Sequence, residues 1–253
     1  MLIEEIRMRL VDAHAHLGSC RVFDLNVVED ELIKAMDGNK VDAAVVQPFP
    51  GAPNPVEVHN RIAALAEQYP GRIFGIASLN PHMGKTEYIA EVERCVKDLG
   101  FVGLKLHTVG HAVNPLSEDG ETVFSTAERL GVPIMVHTGP GIPFALPSLC
   151  IRKAKQHPHL PVILAHAGFG ILAAEAFEAA KECGNIILET SWVSGLDVKW
   201  FVDAFSADRV MMGSDLPKNL PNEIGKHYTI GLNEVQLAKC LGETAVKVFK
   251  LRI

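Results

Sequence analysis

No two of the five cysteines, Cys20, Cys95, Cys150, Cys183 and Cys240, stand in a Cys-x-x-Cys pair, and their number is odd. That pattern speaks against a disulfide framework or a thiolate zinc knuckle, and it suits a reducing cytoplasm. Clustered basic residues are missing as well. The 24 lysines and arginines are scattered among 30 aspartates and glutamates, for a formal net charge of -6, so a nucleic-acid partner is not expected. No apolar run is clean enough to cross a bilayer. The most apolar window, residues 161–180, is broken by Pro161, His166, two glycines and two glutamates. The opening Met-Leu-Ile-Glu-Glu-Ile carries two acids and no basic stretch ahead of an apolar core, which argues against a secretory signal. A cytoplasmic protein that does not enter membranes is expected. Linkers, composition breaks and low-complexity tracts are absent too, so residues 1–253 are expected to form one domain.

What is present is alternation. With 48% hydrophobic residues the chain can bury a large core. Apolar, β-branched runs of strand length recur at residues 10–16, 43–47, 73–78, 102–107, 134–137, 162–166, 186–191 and 210–214. Helical spacing fills the intervals, at 28–36, 56–69, 86–99, 118–130, 146–156, 169–183 and 198–205, and 233–251 reads as a closing helix. Strict strand–helix alternation implies a parallel sheet with helical crossovers. No glycine-rich phosphate fingerprint follows the first strand, and eight strand–helix units fit this length, so a closed (β/α)8 TIM barrel is preferred to an open doubly wound sheet.

The strand ends are polar where apolar residues would be expected. His14 and His16 close the first strand, His107 the fourth, His137 the fifth, His166 the sixth, and Asp215 follows the eighth. Any one of these histidines reads equally well as a hydrogen-bonded strand-end residue. Five at matching positions are another matter, because in such a barrel the strand C-termini meet at one face. His14 and His16, two residues apart in an extended strand, aim at one point. Neutral imidazoles with one carboxylate suit zinc or a similar divalent ion. Asp215 fits as a ligand or as an N-cap to the next segment. Asp12 fits as a support for the two histidines rather than as a ligand.

Six segments together resemble the amidohydrolase superfamily, in its aminocarboxymuconate-semialdehyde-decarboxylase-like branch. They are Asp12-Ala13-His14-Ala15-His16, Gly103-Leu104-Lys105-Leu106-His107, Val136-His137-Thr138-Gly139, Leu164-Ala165-His166-Ala167-Gly168, Leu188-Glu189-Thr190-Ser191 and Gly213-Ser214-Asp215-Leu216-Pro217. The resemblance implies a metal-dependent barrel holding one divalent ion through His14, His16, His137 and Asp215. It also implies that His166 orients or deprotonates a water, with Asp215 able to share in proton transfer. Zinc is the first choice of metal, with manganese, iron or cobalt also accommodated. Lys105 has three readings: a carboxylated bridge between two metals, a lysine paired with Asp215 or Glu189, or, with His107, a substrate-binding residue.

The branch contains both hydrolases and decarboxylases. A decarboxylase needs a cation beside the leaving carboxylate, for which Arg21, Lys105 and Lys218 are candidates, and an enclosed dry pocket. The loops after the strands are brief and leave little material for a lid or a large aromatic pocket. The sequence is therefore read as a metal-dependent hydrolase that cleaves a C–O or C–N bond of a small molecule, a lactone, ester or amide. Decarboxylation of an unsaturated or aromatic acid is the alternative, and a non-catalytic metal- or ligand-binding barrel the third reading. A homo-oligomer is compatible with the resemblance.

Overall fold

Runs such as Val162-Ile163-Leu164-Ala165 are apolar at every position because both faces of the strand are covered, and all four residues are buried. The computed structural model describes residues 8–253, so the reading of the first six residues as no secretory signal lies outside the described residues. Among the described residues nine strands form one sheet: β1 (Val11–Cys20), β2 (Leu25–Val27), β3 (Ala43–Pro48), β4 (Ile73–Ser78), β5 (Gly103–Leu106), β6 (Ile134–His137), β7 (Val162–Ala165), β8 (Ile186–Glu189) and β9 (Val210–Met211). Their spatial order is β2-β1-β3-β4-β5-β6-β7-β8-β9. β2 pairs antiparallel with the end of β1, and all the other pairs are parallel. The curl closes just past β9. Ala13 N–H donates to the Met212 carbonyl (3.1 Å), Asp215 N–H donates to the His14 carbonyl (2.7 Å), and Ala15 and Asp215 form a parallel bridge. The first and last parallel strands thereby meet, as the barrel expectation requires.

The helices are α1 (Glu29–Gly38), α2 (Pro55–Gln68), α3 (Lys85–Lys97), α4 (Glu118–Leu130), α5 (Leu149–Gln156), α6 (Ala173–Glu182), α7 (Gly195–Phe205), α8 (Leu220–Thr229), α9 (Glu234–Ala238) and α10 (Thr244–Phe249). Local chemistry sets their ends. In α4 the Ser117 side chain caps the Gly120 N–H, and Gly131 takes the left-handed conformation (φ 67°) that stops the helix. Among the described residues two apolar clusters result. One, with Val11, Ala13, Val45, Ile76, Met135, Ile163, Ile187 and Met211, fills the barrel interior and is joined by Ala245, Phe249 and Leu251 from the chain end. The larger one lies between the sheet and the helices. No helix among the described residues is long and apolar enough to cross a membrane.

Three features depart from the sequence reading. β2 and α8 were not expected: β2 is only three residues long, and Pro221 and Gly225 interrupt the helical pattern of α8. The closing helix is interrupted by a π-helical turn at Lys239–Glu243, where the Cys240 carbonyl accepts the Met212 N–H (2.9 Å) beside the barrel seam. β9 is shorter than its apolar run, because residues 212–215 leave the β8 ladder to bond with β1.

Candidate active site

A bulge in β1 shapes the site. β1 pairs with β3 as Asp12↔Ala44 and next as Ala15↔Val46, so one extra residue is accommodated before Ala15. The His14 N–H is taken by Asp12 Oδ1 (3.1 Å), and Asp12 also accepts the Ser214 N–H (2.8 Å) and hydroxyl (2.5 Å). Asp12 thus ties the first strand to the last from behind the histidines. Burial outweighs these bonds and raises its carboxyl to about 7.

His14 and His16 have their tautomers fixed by what their Nδ1 atoms touch. His14 Nδ1 donates to Glu189 Oε2 (2.7 Å) and His16 Nδ1 donates to the Pro48 carbonyl (3.2 Å). Each Nε2 is then a bare lone pair. These two lone pairs face each other at 3.2 Å, and Asp215 Oδ1 stands 3.2 Å from the first strand's His16 and 3.5 Å from His14. Gln47 Nε2 reaches His16 at 3.4 Å and Lys105 Nζ reaches His14 at 3.1 Å. Three acceptors within reach of one cation form a donor set that fits a divalent ion, and the three ligand atoms lie within 4.8 Å of one another.

Electrostatics keeps these groups in the forms a cation requires. Burial, with the nearby Lys105 charge, holds the His14 imidazolium well below its ordinary range, and burial brings His166 down to about 3. Burial pushes the Asp215 carboxyl up, but where an imidazole of His16, His166 or His14 carries a proton in a cation's place it outweighs burial and holds the carboxyl well below the usual carboxylate range. Lys105, buried on the inner face of β5, is lowered by burial to about 8.

Glu189 organises the back of the site. Its Oε2 accepts His14 Nδ1–H, the His166 N–H (3.1 Å) and the Ser191 hydroxyl (2.9 Å), and its Oε1 accepts the Ser191 N–H (2.6 Å). Because the single Ser191 proton goes to Glu189, the contact between His166 Nδ1 and Ser191 Oγ (2.8 Å) has the imidazole as donor. His166 Nε2 is left as a free base. His14, His166 and Glu189 also lie within metal-binding distance of one another, but Glu189 is saturated with donors and His14 Nδ1 carries a proton.

His137 stands outside the His14–His16–Asp215 triangle. Its ring stacks on His107 (centroids 4.0 Å) and meets His166 edge-on (4.9 Å), and its Nδ1 is buried without a hydrogen-bond partner. Burial and the neighbouring His166 and Lys105 keep it neutral, as burial and His137 do for His107. His107 Nδ1 accepts the Gly110 N–H (3.0 Å), which fixes its proton on Nε2. Residues His166, Ala167 and Phe169 after β7, Trp192 after β8 and Asp215 after β9 all have positive φ, between 37° and 65°. Such backbone costs about 1–3 kcal/mol per residue and gathers where function demands it.

Over the cluster lies a cavity of ≈ 320 Å³ with apolar walls of Phe23, Leu25, Phe49, Pro50, Phe169 and Trp192, and with His16, His107 and Asp215 as its polar lining. Phe49 stacks on the His16 ring (4.4 Å), and Phe169 and Trp192 lie parallel (6.1 Å). The brief loops were expected to leave little material for a lid or a large aromatic pocket; the four rings of this cavity come from four separate segments rather than from one long lid. A larger hollow of ≈ 520 Å³ lies at the C-terminal ends of α5 and α6 and holds none of the converging groups. Arg21 and Lys218 are exposed and do not line the cavity. Glu189 was legible as a charged residue ending the apolar run Ile186-Ile187-Leu188, although the sequence reading gave it no role of its own. Gln47 likewise ends the apolar run Ala43-Ala44-Val45-Val46, whereas Trp192 carried no such signal.

The chain has relatives among known proteins. The family model described as Amidohydrolase matches residues 11–251. A curated relative, the 2-keto-4-carboxy-3-hexenedioate hydratase of Sphingobium sp. (strain NBRC 103272 / SYK-6), is 33% identical over 141 residues, 53% of this chain and 40% of that protein. The match thus spans less than half of the curated relative's length. The 5-carboxyvanillate decarboxylase of Sphingomonas paucimobilis has the same fold, with a TM-score of 0.78 at 15% identity over 97% of this chain and 100% of that one. So does the 5-carboxyvanillate decarboxylase of Novosphingobium aromaticivorans in complex with manganese and 4-hydroxy-3-methoxy-5-nitrobenzoic acid, with a TM-score of 0.77 at 15% identity over 96% of each chain.

Proposed function

We propose that this chain, which belongs to the amidohydrolase family, is a single-metal hydrolase that cleaves a C–O or C–N bond in a small, flat lactone, ester or amide. The observation that supports this reading most is the set of converging acceptors, His14 Nε2, His16 Nε2 and Asp215 Oδ1, whose lone pairs one divalent ion would satisfy together, whereas Lys105 Nζ and Gln47 Nε2 each reach one histidine. A divalent ion held there by His14, His16 and Asp215 supplies Lewis acidity, lowering the pKa of water from about 15.7 toward roughly 7. His137 is proposed as a fourth ligand on the strength of its buried, unpartnered Nδ1. Zinc suits three imidazoles and a carboxylate, and manganese, iron or cobalt can replace it. One ion is put ahead of the alternative, two ions bridged by a carboxylated Lys105 with His166 serving the second, and metal stoichiometry distinguishes the two.

The chain's own residues have distinct proposed tasks. His166, oriented by Ser191, takes a proton on its free Nε2 and returns it to the leaving group. His107 donates from Nε2 to a substrate oxygen in the cavity, and Lys105 places a positive charge beside His14. The aromatic walls suit a flat molecule. The family match over residues 11–251 supports treating the chain as one domain.

The aromatic walls also suit the alternative, decarboxylation of an aromatic or unsaturated acid. Among the described residues, however, the cavity lining contains neither arginine nor lysine to anchor a leaving carboxylate. Hydration, the reaction in the curated relative's name, would share the same water activation. The test is turnover by zinc- or manganese-loaded protein of aryl esters, aromatic lactones and anilides, with loss in His16→Ala. Carbon dioxide release from aromatic acids, with no hydrolysis of that panel, would replace this reading by the alternative.

A further inference from the structure

Asp215 faces the two histidines with Oδ1, and its other oxygen is not free: Oδ2 accepts the indole N–H of Trp192 at 2.8 Å. Trp192 is held from two further directions. Its backbone N–H donates to Glu223 Oε1 (2.9 Å), and Glu223 Oε1 also accepts from Asn219 Nδ2 (2.9 Å), which in turn bonds the Ser214 carbonyl (3.1 Å) next to Asp215. Its ring lies parallel to Phe169. Trp192 and Asp215 both adopt the left-handed backbone, at φ 63° and 65°, without being glycine. The two strained turns are therefore linked twice, through the indole and through the Glu223–Asn219 bridge. A tryptophan 40% exposed would otherwise gain little from so constrained a backbone.

We infer that Trp192 is a positioning residue: its indole N–H fixes the Asp215 carboxylate so that only Oδ1 is presented to the ion. The inference rests on the proposed metal site. A carboxylate free to rotate could turn either oxygen, or both, toward His14 and His16, and fixing one oxygen removes that freedom before binding. With one lone pair of Oδ2 taken up by the indole, the main proton transfer is assigned to His166, whose Nε2 is free. The tyrosine or phenylalanine that could fill the same wall lacks an N–H at this position, which makes the hydrogen bond separable from the packing.

The experiment uses the full chain with its tryptophans labelled with 15N at the indole. The sequence has two tryptophans, Trp192 and Trp200, so two indole resonances are expected, and Trp200→Phe and Trp192→Phe assign them. Titration with Zn²⁺ should move the Trp192 resonance and leave that of Trp200 in place. Competition with a chromogenic chelator should show Trp192→Phe binding Zn²⁺ roughly 10–100-fold more weakly than wild type, with an unchanged circular-dichroism spectrum. A Trp192 resonance indifferent to saturating Zn²⁺, or wild-type Zn²⁺ affinity in folded Trp192→Phe, overturns this inference alone. Failure of the wild-type chain to take up stoichiometric Zn²⁺ overturns the metal site and this inference with it.

Discussion

Replacing Glu189 with glutamine puts an amide NH2 where four donors converge at 2.6 to 3.1 Å: His14 Nδ1–H, the N–H groups of His166 and Ser191, and the Ser191 hydroxyl. The glutamine does best by turning its oxygen toward the three donors on the Oε2 side and its NH2 against the Ser191 N–H. Three charge-assisted bonds then become neutral ones, at about 1 kcal/mol each, and one buried N–H loses its acceptor, at about 1–3 kcal/mol. The expected loss is about 4–6 kcal/mol. For a chain of this size that lowers Tm by about 8–24 °C, measured by calorimetry in the presence of a chelator. Zn²⁺ affinity should fall roughly 10–100-fold, because the His14 tautomer is no longer enforced by a carboxylate. A Tm within about 2 °C of wild type, or unchanged Zn²⁺ affinity, would refute the role of Glu189 as the carboxylate that orients the site.

His166→Ala should keep Zn²⁺ uptake at the wild-type stoichiometry while kcat falls roughly 10²–10⁴-fold, the usual worth of a general acid–base; loss of the metal in this variant would instead make His166 a ligand. In Gly213→Ala the new Cβ would lie 2.6 Å from both Glu189 Oε1 and the His14 Cβ, so stability should fall by about 1–3 kcal/mol together with Zn²⁺ affinity, as read by urea denaturation and chelator competition. Away from the site, burial pushes the Glu91 carboxyl up from 4.5, but the His59 and Arg94 hydrogen bonds outweigh it and bring it to about 2. A depressed carboxyl stabilises the fold fully above its unfolded pKa and loses that contribution as pH falls through the folded value. The difference in Tm between wild type and Glu91→Gln should therefore be constant near neutral pH and shrink from about pH 4.5 downward; a difference that grows on acidification would contradict it.

The barrel was legible because a strand covered on both faces has to be apolar at every position, as Ile134-Met135-Val136 and Val162-Ile163-Leu164-Ala165 are, and because charged or imidazole residues at the ends of such runs stand out. The same rule places His14, His16, His107, His137, His166 and Asp215 at one face, and the structure brings His14, His16 and Asp215 together. Which of the histidines face the same point depends on details that periodicity does not carry. The bulge before Ala15 re-aims His14, and His137 stacks on His107 beside the triangle. The aromatic cavity was hidden for a different reason. Phe23, Phe49, Phe169 and Trp192 sit in four turns, and only the folded backbone, including the left-handed residues Phe169 and Trp192, turns them toward one space. α8 was hidden because proline and glycine mask a helix whose stability comes from tertiary packing.

The most direct test of the single-ion site is metal stoichiometry by mass spectrometry on the purified chain, after saturation with Zn²⁺ and removal of excess, in wild type and in His16→Ala. The expected result is one tightly held ion per wild-type chain and none in His16→Ala. Two ions per chain, or undiminished uptake in His16→Ala, would contradict a single ion held among His14, His16 and Asp215.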